Sequence, residues 1–169
     1  DEVETDVETV MGEKTIGLQR MKRQKIGSFE VVPFHVPHGE TECDGWLIDT
    51  PDGRILFITD AEYCPYDFSK MHINYGLIEC NYAEDYIRIE DSGPKYNHVL
   101  TGHMELETCK RLIQKINSVS IRSIGLVHLS AGNGNPVRFM EEIQEIVDCD
   151  VDVWVAEKGP EKEFRLMPF

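Results

Sequence analysis

FHVPHGETECDGWLIDTPDGRILFITDAEY, residues Phe34–Tyr63, holds the ends of two apolar runs that each close on a polar residue: VVPFHVPH, which begins at Val31, ends at His38 and ILFITD ends at Asp60. Between them, GWLIDT and RILFITD are joined by PDG, in which proline presets one backbone dihedral and glycine accepts a positive one. This is the strongest hairpin signal in the chain. It predicts consecutive strands with His38 and Asp60 at their ends. Pro33 and Pro37 place the His38 strand at a sheet edge, or end it, because proline donates nothing to a ladder.

Outward from that stretch, TIGLQR reads as an earlier strand, with KRQKIGS as the turn that follows it. YGLIEC is a short buried strand. AEDYIRIED reads as a short helix, and GHMELETCKRLIQKINS as a longer one whose Leu106, Cys109, Leu112, Ile113 and Ile116 share a face. SIGLVHLS reads as a buried strand. NPVRFMEEIQEIV follows as a helix, with Asn135 as N-cap and Pro136 at the first helical position. VDVWVA is a last buried strand and EFRLM a weaker one. Antiparallel strands therefore come first, and strand–helix–strand–helix–strand after them. The fold class is α/β (α+β): a mixed sheet with helices on one side. Residues 1–14 read as an acidic arm or linker, and 15–169 as one domain.

The 169 residues suffice for one core, and 41% hydrophobic and 28% charged residues are ordinary for a soluble globular protein. No apolar run is long enough to span a membrane, and the acidic start lacks the basic region of a signal peptide. The net charge of −14 disfavours long nucleic acid as a partner. A small anionic substrate would need a local cation, most simply a metal; the acidity also serves solubility alone. The five cysteines are odd in number and show no CxxC spacing, which argues against a disulfide framework or a cysteine zinc site and for a reducing, cytoplasmic compartment.

A third apolar run, IGLVH, closes on His128. Ligands gather where strands end at their carboxyl edge. Imidazole suits zinc, manganese or iron, and a carboxylate can bridge two metals. A lone histidine at a strand end is more often a surface residue, and a lone aspartate there a turn former; the weight comes from three coinciding. His103, in LTGHMELET, is a candidate for a substrate contact or for a hydrogen bond that orients a ligand, and equally a loop residue near a helix start. His35 alternates with Phe34 and Val36 and points away from the core if the core is on their side, and His72 and His98 have no informative context. The glycines of LSAGNGNP either bring backbone close to a ligand or only loosen a loop. GxSxG, Walker A, GxGxxG and HExxH motifs are all absent.

The series FHVPH, DGWLIDTPDGRILFITD, GHMELETCKRLI, LVHLSAGNGNP and VWVAEKG resembles the C-terminal half of metallo-β-lactamase-fold hydrolases, over roughly residues 26–159. It looks closest to their phosphodiesterase and nuclease-like branch in bacteria and phages. The resemblance implies half of an αββα sandwich and two divalent metal ions, zinc or manganese. His38 would complete the first metal's shell, Asp60 would bridge both metals, and His128 would bind the second. His103 would be a catalytic candidate. The family's HxHxDH motif has no counterpart among the six histidines. The resemblance therefore implies a fragment, inactive alone, whose missing N-terminal half, second chain or second copy completes it. The expected function is hydrolysis of a small anionic phosphoester: a cyclic or short nucleotide, or a nucleic-acid end. The alternative is a catalytically inactive binding or assembly module of the same fold.

Overall fold

The computed structural model describes residues 17–87, 101–157, 159 and 162–163. Seven strands lie in one sheet in sequence order: β1 (Gln24–Ile26), β2 (Phe29–His38), β3 (Thr41–Thr50), β4 (Gly53–Ile58), β5 (Tyr75–Glu79), β6 (Ser123–Val127) and β7 (Asp152–Val155). The first three pairings are antiparallel and the last three parallel. β2 and β4–β7 therefore run the same way, and their C-terminal ends open onto one sheet edge. The mixed sheet expected from the sequence is present.

The PDG hairpin forms as read. Thr50 pairs with Gly53, whose φ of 129° only glycine adopts without strain. The Thr50 hydroxyl donates to the Gly53 carbonyl (2.9 Å) and accepts from the Asp52 amide (3.1 Å). On β2, the carbonyls of Pro33 and Pro37 point away from β3 and accept from the Met21 and Glu62 amides, both at 2.8 Å. Both prolines thus sit where β3 asks for no donor; β2 is not the expected edge strand, because β1 pairs with its start at Phe29–Val31, and the prolines lie past that pairing.

α1 (Leu106–Ile116) and α2 (Pro136–Gln144) make the crossovers from β5 to β6 and from β6 to β7. The predicted α1 face is the buried one. Asn135 caps α2 by accepting from the Arg138 amide, with Pro136 at the start. Both helices lie on one sheet face, over Leu56, Ile58, Ile78, Ile124 and Leu126, all fully buried. Gly76 is needed there: a Cβ would lie 2.9 Å from Ile124 and 3.6 Å from Ile116 of α1.

The other face carries a row in register across five strands: Trp46, Phe57, Leu77, Gly125 and Trp154. Its large side chains are half-buried. Ile48 and Ile55 form a second apolar pair beside it. Parallel strands that are apolar on both faces normally have both faces covered.

Four expectations change. TIGLQR is not a strand over its described residues 17–20; the first strand lies inside KRQKIGS, because a tight turn at Gly27 (φ 60°) pairs Ile26 with Phe29. AEDYIRIED gives only a 3-10 turn at Glu84–Tyr86, and residues 88–91 lie outside the described residues. VDVWVA forms β7, but as a partly exposed strand with a described strand neighbour on one side only. Glu163 is not in a strand, and the rest of EFRLM lies outside the described residues, as do residues 1–14 and His98.

Candidate metal centre

His38 ends β2, Asp60 lies two residues past β4, Glu79 ends β5, and His128 follows β6. Parallel topology brings these ends to one edge, and His103 reaches the same place from the segment before α1. Among the described residues, four non-glycines have positive φ, and two of them are Asp60 (50°) and His128 (57°). Such a conformation costs ordinary residues energy, so the surroundings must hold it.

Glu79 is the hub. Its side chain is fully buried. Oε2 accepts from the Ala61 amide at 2.6 Å, which fixes the chain just after Asp60. Oε1 accepts from His103 Nδ1 at 2.7 Å and lies 3.3 Å from His128 Nδ1. The hydrogen bond to Glu79 is the chief cause that raises the His103 pKa, against the opposing effect of burial. His128 Nδ1 is also 3.2 Å from Asp60 Oδ1. His38 Nδ1 donates to the Gly102 carbonyl at 2.5 Å, which sets the tautomer and puts the ring's lone pair on Nε2. The His103 ring packs edge-on between the other two, 4.9 Å from His38 and 5.0 Å from His128 between centroids.

This donor set fits a divalent cation. One ligand atom each from His38, Asp60 and His103 lies within 4.8 Å of the others, and the same holds for Glu79, His103 and His128. Two ligands of one tetrahedral zinc, with bonds of about 2.0 Å, stand about 3.3 Å apart. The 3.2 Å between His128 Nδ1 and Asp60 Oδ1 is compatible with that spacing and is also the length of an imidazole–carboxylate hydrogen bond. The Nδ1–carbonyl bond of His38 is the support that metal-binding imidazoles usually have. Asp60 touches His128 and groups with His38, so it stands between the two sides.

All four residues singled out in the sequence converge here. His35 and His72 do not and are exposed. Sequence reading missed Glu79, although the signal was of the same kind as at Asp60: an acid closing an apolar run, YGLIE. It took His103 as a catalytic candidate and not as a metal ligand, whereas the structure puts it in both groups.

Beside His103 opens a cavity of about 510 Å³, lined among the described residues by Glu62, Tyr63, Tyr82, Glu84, Glu105, Glu107, Thr108 and Arg111 as well. Of the five clustered side chains, only His103 lines it. Four carboxylates face one guanidinium, so these walls do not themselves attract an anion. All five cysteines are free thiols, and no helix among the described residues is long and apolar enough to cross a membrane.

No protein-family model and no curated protein matches the chain. Solved structures do. The metallo-β-lactamase fold protein YhfI from Bacillus subtilis aligns with a TM-score of 0.63 at 19% identity, covering 86% of this chain and 53% of that one. A diphosphatase of the PhnP family aligns with a TM-score of 0.57 at 14% identity, covering 96% and 54%. Zn²⁺-bound PqqB from Methylobacterium extorquens aligns with a TM-score of 0.55 at 15% identity, covering 88% and 57%. The chain thus has the metallo-β-lactamase fold over about half the length of these proteins, and proteins of this fold include metal-dependent hydrolases and metal-bound forms.

Proposed function

We propose that this chain is the C-terminal portion of a dinuclear metal-dependent hydrolase that acts on a small phosphoester. The convergence of His38, Asp60, Glu79, His103 and His128 at one sheet edge carries this reading. Its likeness in fold to a diphosphatase supports the phosphoester class. His38 and His128 would each anchor one ion, with Asp60 between them. When bound, the ions would lower the pKa of water and polarise the phosphoryl group.

The chain's own residues do the rest. Glu79 holds His103 through Nδ1, so the ring faces the cavity in a fixed orientation. Facing the cavity while Glu79 holds its Nδ1, the His103 ring is placed to donate from Nε2 to a leaving oxygen. The cavity is large enough for a nucleotide-sized group, within the range of ligand sites of about 300–1,000 Å³. Its acidic walls leave anion binding to the cations.

The sheet face that no helix among the described residues covers belongs to the same proposal. A second sheet layer, carrying further metal ligands, covers Trp46, Phe57, Leu77 and Trp154. We take it to be the remaining half of the enzyme, a reading supported by the structural neighbours being about twice the length that this chain spans on them.

The test is metal content together with hydrolysis of bis-p-nitrophenyl phosphate by zinc- or manganese-loaded protein. Joined to the completing half, the protein should hydrolyse the ester, and His128→Ala should lower both bound metal and rate. Equal metal content in the two proteins would sink the site, whatever the rate.

A further inference from the structure

The loops that carry His103 and His128 meet at a residue outside the metal-binding set. Asn81 is 5% exposed and lies two residues past Glu79. Its side-chain Nδ2 donates to the His128 carbonyl at 2.6 Å. Its backbone amide donates to the Met104 carbonyl (2.9 Å), next to His103, and its own carbonyl accepts from the Ser130 amide (2.8 Å).

The ladder shows why this matters. The Cys80 amide still pairs with the Val127 carbonyl at 3.1 Å, as a continuation of the parallel pairing. One residue later His128 turns to φ 57° and leaves the ladder. Its carbonyl then has no strand to meet, and the Asn81 carboxamide takes it. The buried Asn81 carboxamide needs an acceptor of its own, and the turned His128 carbonyl supplies it, so the bond rewards the turned conformation. That conformation carries the imidazole to Asp60 and Glu79.

We infer that Asn81 is a positioning residue: its carboxamide holds His128 in the left-handed conformation that aims the ring at the cluster, and its backbone locks that loop to the His103 segment. The metal-affinity arm below rests on the proposed metal centre; the conformational arm does not.

Asn81→Asp and Asn81→Leu keep the side chain's shape and remove the N–H donor. In both metal-free variants, crystal structures should show His128 out of the left-handed region, with Nδ1 displaced from Glu79. Zinc affinity should fall about 10–100-fold, as for other losses of residues that orient ligands, while thermal melting still shows a folded protein. His128 unchanged in φ, with zinc affinity within twofold of the parent, would overturn the inference. If the parent takes up no zinc, the metal centre fails and the His128 conformation still decides Asn81. If neither variant folds, the parent decides by NMR: a scalar coupling across the hydrogen bond from Asn81 Nδ2 to the His128 carbonyl is expected, and its absence together with rapid carboxamide exchange overturns the inference.

Discussion

The Glu79 carboxylate and the His103 imidazole form a buried pair, Oε1 to Nδ1 at 2.7 Å, and the same carboxylate holds the Ala61 amide with its other oxygen. One buried acid therefore orients both the ring that faces the cavity and the loop that carries Asp60. Replacing it with alanine leaves a buried N–H and the imidazole without their acceptor. Glu79→Ala should destabilise the protein by about 2–4 kcal/mol in urea denaturation, and Glu79→Gln by less, since it keeps one acceptor. Equal stability of parent and Glu79→Ala would show that the pair is not structural.

His103→Ala separates proton donation from metal binding. In the complete enzyme the rate should fall about 10²–10⁴-fold, with metal retained by His38, Asp60 and His128 together with the ligands of the completing half. Loss of metal in step with rate would instead make His103 a ligand.

Acid should weaken the PDG hairpin before neutral pH does. Arg54 donates to both Asp49 oxygens, at 2.5 and 3.2 Å, and Arg23 adds a third bond at 2.6 Å. The Arg54 bond is the chief cause holding the Asp49 carboxyl below its ordinary range. A folded-state pKa below the unfolded value, about 3.9, gives stability that is complete above that value and is lost as pH falls through the folded one. Asp49→Asn should cost about 1 kcal/mol at pH 7 and flatten the stability profile below pH ~4. Parallel profiles for parent and variant would remove Asp49 from the explanation.

Gly125 makes room for a tryptophan. A Cβ there would lie 2.5 Å from Trp154 Cζ2 and 2.9 Å from Leu77 Cδ2. Gly125→Ala should push the indole off the sheet, break its bond to the Ser123 hydroxyl (2.9 Å) and cost about 1–3 kcal/mol. A shifted tryptophan emission maximum checks the displacement; an unchanged spectrum and stability would refute it.

Much of this arrangement was legible because strand ends carry distinct chemistry. ILFITD and IGLVH each close an apolar run on a ligand type, and the PDG turn fixes which strands neighbour. Glu79 escapes because YGLIEC reads as a buried strand from its apolar residues, although its acid closes the run as Asp60 does. β1 escaped because Gly27 makes a local hairpin that outweighs the apolar appeal of TIGLQR. The centrality of His103 needs the parallel crossover through α1, a tertiary relation that no spacing in the chain encodes. The partial exposure of β7 likewise follows from its place in the strand order, while VDVWVA shows only its apolar character.

The most direct measurement is anomalous diffraction at the zinc edge from crystals grown with zinc. Density bonded to Asp60 together with His38 or His128 is the predicted result. Ions found only elsewhere, with His38, Asp60 and His128 in their present hydrogen-bonded positions, would contradict the metal centre.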